Sequence, residues 1–320
     1  MTLSVIKKQR GLSLIELMIA VVLGLFITAG MIQLFIHSKQ SYRVQENLSR
    51  VQENGRFAME FLARDIRMAG YWGCLGSTET IDNNLASGDS TYENILDAVL
   101  ATNDDGLNNS DSISVNRVDL ASASVVKTPS NKSAKLKVTS GSGLKKNDVV
   151  MVMDCTSGDL FQITNNPAAN NKLAHKAGAV GDGPGNSDKK FQKKYSTDAK
   201  IHKVRNIEYY ISQNPSVQPA LYRRLNGDAG QELIEGIESM QILYGIDTTN
   251  NNTANSYVPF SAGLDLNKAI SVRISLLVTT LEDNLATESS STTMGTYSSA
   301  NDRKIRRIFT STIALRNRLL

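Results

Sequence analysis

The sequence predicts an α+β fold, in which one long N-terminal helix is packed on a mainly antiparallel β-sheet domain. Three observations carry the prediction. The stretch from Leu17 to Ile36 holds no charged residue. From Val44 to Ala69 the apolar residues recur at a spacing of three and four. Beyond Gly70 the period shortens to two, the spacing of a strand with one buried face.

The chain opens on a basic segment, with Lys7, Lys8 and Arg10 before Gly11, and the apolar run follows at once. Twenty uncharged residues at 1.5 Å each give a helix of roughly 30 Å, enough to cross a bilayer. A secretory signal places its small-residue cleavage site after such a run. Here the glycine at the charge boundary stands before it. Cutting after Gly11 would remove the basic leader, leave the helix on the mature chain and create a new amine on Leu12. The positive residues hold the leader in the cytoplasm, so the protease would act on that side. Glu16 would become the fifth mature residue. A carboxylate within a membrane helix costs on the order of 2.5–3.5 kcal/mol, and the partner that could offset it is the N-terminal ammonium of a neighbouring subunit. An ordinary membrane anchor with Glu16 near the headgroups is the plainer alternative.

Past Ile36 the sequence turns polar, but no proline appears before Pro129. Val44, Leu48, Val51, Ala58, Leu62, Ile66 and Ala69 draw one stripe, which extends the helix to about Ala69. Arg43-Val44-Gln45-Glu46-Asn47 recurs as Arg50-Val51-Gln52-Glu53-Asn54. Two copies are too few for a coiled coil, so the outer half is expected to dock on the globular part. Gly55 should weaken the helix locally, and Gly70 should stop it. Ala20, Gly24 and Thr28 make a row of small residues suited to close helix approach. The domain plan is therefore 1–11 leader, 12–36 membrane half, 37–70 outer half and 71–320 globular β-rich domain.

Strands are predicted at Ser112–Val118, Ala134–Thr139, Val149–Cys155, Leu160–Thr164, Ile201–Ser212 and Ala220–Leu225. Three more follow at Gln241–Asp247, Ile270–Thr280 and Arg307–Leu315. Asn165–Asp188, Thr248–Ser256 and Ala286–Asp302 are rich in Asn, Ser, Thr and Gly and read as irregular surface loops.

The charge balance argues against a nucleic-acid-binding surface. The net +4 includes three bases in residues 1–11, so 35 − 3 = 32 bases face 31 acids in the remainder, a net of +1. Cys74 and Cys155 are the two cysteines. In the compartment beyond the membrane a disulfide between them is permitted and favoured, with two unpaired buried thiols as the alternative.

No catalytic or cofactor constellation stands out. His37, His175 and His202 lack paired ligand spacing, so no metal is expected. Gly178 to Gly185 is glycine-rich but lacks the Gly-Lys-Ser/Thr of a phosphate loop. Asn103, Asp104, Asp105, Asn108, Asn109 and Asp111 gather oxygen atoms, yet their spacing does not match an EF-hand, and an Asn/Asp-rich turn accounts for them. The C-terminal bases Arg303, Lys304, Arg306, Arg307, Arg316 and Arg318 read as a solvated strand edge that discourages further pairing.

The basic leader, Gly11, hydrophobic Leu12, Glu16 and the long apolar helix resemble, in that order, the class III signal of type IV prepilins. This resemblance implies that a prepilin peptidase cuts between Gly11 and Leu12 and methylates the Leu12 amine. Phe57 to Cys74, Gly158 to Ile163, Ala220 to Arg223, Leu233 to Gly245 and Arg307 to Asn317 are similar to the PilW family of minor pilins. That resemblance implies no enzyme and no cofactor. It implies a structural subunit of the inner membrane with its globular domain in the periplasm, which primes pilus assembly and stands in the tip complex. The implied partners are other minor pilins, the major pilin, the prepilin peptidase, the inner-membrane assembly platform and a tip adhesin. Two alternatives share the pattern: a J-class minor pseudopilin of type II secretion, and a membrane-tethered periplasmic binding protein whose leader would stay attached.

Overall fold

In the computed structural model, residues 13–140, 142–178 and 183–318 are described. One helix, α1 (Leu14–Ile66), runs unbroken through 53 residues, a length of about 80 Å. It ends three residues before the predicted Ala69, because the last turn tightens. Met68 N–H donates to the Asp65 carbonyl and Ala69 N–H to that of Ile66, the i→i+3 bonding of a 3₁₀ turn. Gly70 then takes φ +69°, and a Cβ there would come within 2.9 Å of Ala98 Cβ. Both the backbone and the packing require glycine at the stop.

The strands follow in chain order. The first group is β1 (Ile81–Asn83), β2 (Val99–Thr102), β3 (Ser112–Val118), β4 (Ala123–Lys127), β5 (Leu136–Val138), β6 (Val149–Met153) and β7 (Gly158–Gln162). Next come β8 (Lys172–Leu173), β9 (Lys200–Gln213), β10 (Pro219–Leu225), β11 (Gln231–Glu235) and β12 (Ile237–Ile246). The chain finishes with β13 (Ser256–Pro259), β14 (Ala269–Thr279), β15 (Thr293–Met294), β16 (Tyr297–Ser298) and β17 (Arg306–Ala314).

β9 is the spine of the larger sheet. Its first half pairs with β4 and β6, and its second half pairs antiparallel with β3 and β10. The smaller sheet runs β13-β12-β14-β17 and is antiparallel throughout. β1 against β7 is parallel, a departure from the pure antiparallel pattern that a three-residue strand gives little chance to read in advance.

The outer half of α1 lies against the smaller sheet. Val51, Ala58, Leu62 and Ile66 are buried with Tyr244, Ile274, Leu276 and Ile313. A second apolar cluster fills the space under β4 to β8, and a third gathers beneath Trp72. Cys74 and Cys155 are bonded, Sγ–Sγ 2.12 Å, and this ties the segment after the helix to the turn between β6 and β7. The bridge spans 81 residues, a closure that restricts the unfolded chain by roughly 4–5 kcal/mol in the entropy account.

Two of the three predicted surface loops are more ordered than expected. The first carries β8 and buries Leu173, His175 and Asn186. Asn186 explains this burial, since its amide bonds the backbone of Gln162 in both directions, at 2.7 and 3.0 Å. The third holds the β15–β16 hairpin.

Candidate assembly interface

The charge-free run makes the first part of α1 a surface that the chain itself leaves uncovered. Among the described residues, sixteen of the 23 exposed large apolar side chains lie between Leu14 and Ile36, with Leu14 76 %, Phe26 74 % and Leu34 72 % exposed. The globular part buries most of its large apolar groups and exposes only scattered ones such as Leu120 and Val217, so this contiguous segment must be covered by lipid or by other helices. Its length and composition suffice to cross a membrane.

At the start of that surface Ser13 caps the helix, its Oγ accepting the Glu16 N–H at 3.3 Å. This is the side-chain cap that Ser favours at the first unpaired N–H groups. Glu16 falls in the first turn and is exposed. No ion pair among the described residues includes it. Gly11 and Leu12, the predicted cleavage and methylation positions, lie outside the described residues. One turn of the small-residue row is closed internally, since Thr28 Oγ1 donates to the Gly24 carbonyl at 2.7 Å. A Cβ on Gly24 or Gly30 would meet nothing within 4 Å. Neither glycine is needed for packing within the described chain, which leaves that helix face clear.

The outer half of α1 is fixed by side chains that the heptad repeat supplies. Arg43 Nη2 donates to Glu282 at 2.7 Å, and this guanidinium holds the Glu282 carboxyl below its usual range. Asn47 is buried and donates to the Arg43 carbonyl. Asn54, its counterpart in the second copy, donates to the Glu235 carbonyl at 3.1 Å. The repeated heptad is thus a docking device rather than a coiled-coil seam. Gly55, read in the sequence as a weak point, is a close approach: a Cβ there would stand 2.5 Å from the Phe309 ring.

At the far end of the helix Asp65 is buried, and Tyr209 donates to it at 2.6 Å. Burial, followed by the Asp65 charge, pushes the Tyr209 phenol up, so it stays a donor at any physiological pH. A carboxylate on an apolar stripe gives no sign in the sequence of the phenol that meets it.

Several of the residues set aside in the sequence have structural partners. The Asn/Asp-rich turn lashes the start of β3 to β12. Asp111 accepts N–H from Asp104 and Ile242 at 2.9 and 2.6 Å, and Asn108 donates to the Glu238 carbonyl. Burial raises the Asp111 carboxyl to about 6. His175 stacks on Phe191 at 4.0 Å, and burial lowers its pKa. His202 is buried with Nδ1 2.8 Å from the Asp119 carbonyl. Among the described residues, no group of three or more His, Cys, Asp or Glu could hold a metal ion.

The C-terminal basic stretch needs a correction. Arg306 is not a solvated edge charge. Its side chain is 3 % exposed and clamped between Glu238 at 2.6 Å and Asp302 at 2.7 Å. Strand alternation puts Arg306 on the opposite face of β17 from Arg307, which is exposed. The sequence shows that split but not the two acids that make one side of it interior.

Two family models match the chain. Residues 6–32 match the prokaryotic N-terminal methylation motif, which covers the basic leader and most of the uncovered helix face. Residues 208–317 match type IV pilus-assembly protein W, from the second half of β9 through β17, the smaller sheet on which α1 docks. Neither a curated protein nor a solved structure matches it. The two matches, on the apolar helix and on the sheet that receives it, support a PilW-like type IV minor pilin.

Proposed function

We propose that this chain is a non-enzymatic structural subunit that primes pilus assembly and takes its place in the tip complex. Prepilin peptidase removes residues 1–11 by cutting between Gly11 and Leu12, and the Leu12 amine is methylated. The helix then waits in the inner membrane with the globular domain in the periplasm. Other minor pilins, the major pilin and the inner-membrane assembly platform are its partners, and a tip adhesin is a further one.

The observation that supports this most is Glu16, a carboxylate on an otherwise apolar helix face, with no ionic partner among the described residues. The cost of a lone acid in hydrocarbon is removed when a neighbouring subunit brings its N-terminal ammonium. Because the pair forms in one geometry, it also registers one helix against the next. Glu16→Val tests this directly. Leader removal should proceed, seen as the normal shift on a gel, while incorporation into sheared pili is lost. A bulky residue at Gly11 should instead leave the precursor uncut. Normal piliation with Glu16→Val would refute the registering role.

A further inference from the structure

Near the membrane-distal end of α1, about 75 Å along the helix from Glu16, a cleft of about 330 Å³ opens between the last helical turns and the larger sheet. Four guanidiniums line it, those of Arg64, Arg117, Arg205 and Arg223. Two carboxylates, Asp65 and Asp119, face them, which leaves a surplus of two positive charges.

The placement of these arginines is costly. Arg117 on β3 stands directly opposite Arg205 on β9, and like charges at a cross-strand pair destabilise a sheet. Asp119 relieves the repulsion by taking both, at 2.9 Å from Arg117 and 2.6 Å from Arg205. One carboxylate cannot neutralise two guanidiniums. The Nε of Arg117 is buried without a hydrogen-bond partner, and its Nη2 is 3.8 Å from Asp65, beyond hydrogen-bond length. Asp65 is already taken by Tyr209. Arg64 and Arg223 enter no ion pair among the described residues. Arg64 lies over the Phe61 ring at 5.7 Å, and Arg223 reaches Gln231 at 3.4 Å.

We propose that this cleft is a socket for an acidic side chain, Asp or Glu, presented by a neighbouring pilus subunit; the inference rests on the pilin reading above. A carboxylate supplies the fork of acceptors that guanidiniums match. Met68, Ile207 and Leu225 add apolar wall, which suits the methylenes of a side chain. A nucleic-acid backbone needs a long cationic track, whereas here the charge is gathered in one short open cleft beside two acids.

The test uses the full chain in pilus-producing cells, with the photoreactive residue p-benzoylphenylalanine replacing Met68, which is exposed at the cleft. Irradiation should join it to a peptide of another pilus subunit that contains Asp or Glu. Arg64→Glu combined with Arg223→Glu should lower the crosslink by more than roughly tenfold, because like charges across an interface cost several kcal/mol. Changing the mapped acid to Lys should restore it. Arg64→Gln with Arg223→Gln provides the same reading with the charge removed rather than reversed, should the double reversal prove less stable. The inference is overturned by a yield that neither double variant lowers, by a mapped peptide without an acid, or by adducts on lipid or nucleic acid only. Presence in sheared pili without any crosslink sinks the socket alone. Absence from pili sinks the pilin reading, and the socket with it.

Discussion

Gly55 of the helix lies directly against the ring of Phe309 on β17, so close that a Cβ on Gly55 would come within 2.5–2.6 Å of three ring carbons. Two effects of opposite sign therefore meet at one substitution. Gly→Ala within a helix is worth about 1 kcal/mol of added stability from propensity alone. Forcing a methyl into a packed site costs typically 1–3 kcal/mol. The ring stands opposite Leu276 on the next strand and packs against the buried cluster, so the clash should win. Gly55→Ala is expected to destabilise the detergent-solubilised chain by about 1–2 kcal/mol in urea unfolding. Phe309→Leu in the same chain should recover most of that loss. A Gly55→Ala chain more stable than the wild type would mean that the helix is not seated on β17 this way.

The helix and most of the sheet were legible in the sequence because each follows a simple period. The stripe from Val44 to Ile66 and the alternation in Ser112–Val118 depend only on which face is buried, and β3 has the bounds predicted for it. Short strands such as β1, β8 and β13 were not legible, since two to four residues cannot establish a period and their pairing is set by distant segments. The same limit applied to the interface. Gly11, Leu12 and Glu16 stand in a local pattern, and that pattern alone is the ground for proposing them. Gly55 and Phe309 are 254 residues apart, and no local rule joins them. Asp65 with Tyr209, and Arg306 with Glu238, failed to show for the same reason.

Arg306 should be the most costly single side chain to remove from the C-terminal strand. It is nearly enclosed, and Tyr297 donates to the same Glu238 at 2.9 Å. Breaking a buried ion pair from one side leaves uncompensated charge and costs about 3–5 kcal/mol. Arg306→Ala should therefore lower the urea midpoint sharply, while Arg307→Ala, exposed on the other face, should stay within about 0.5 kcal/mol of the wild type. Arg306→Lys should recover only part of the loss, because a single ammonium does not reproduce the fork that serves both Glu238 and Asp302. Equal effects of the two alanine changes would contradict the buried clamp.

Asp111 gives the fold a pH dependence of its own sign. Burial raises its carboxyl from 3.8 to about 6, against the lowering effect of the Asp104 and Ile242 N–H groups. Between those values the folded chain holds the proton and the unfolded chain has released it, so the native state binds more protons. Stability contributed by this group is thus present at low pH and declines as pH rises from about 4 to 6, then levels off. Asp302 acts the other way, since Arg306 lowers its pKa, and its contribution fades only as pH falls below the ordinary carboxylate range. The two are separated by comparing urea midpoints of the wild type and Asp111→Asn at pH 4, 5, 6 and 7. The asparagine cannot titrate and offers one acceptor oxygen where Asp111 uses two, so the variant should be less stable throughout. Its deficit should be largest at pH 4 and shrink towards pH 6, because only the wild type loses stability across that interval. A deficit that stayed constant from pH 4 to 6 would show that Asp111 is already ionised at the lower end, and that its two backbone donors outweigh the burial.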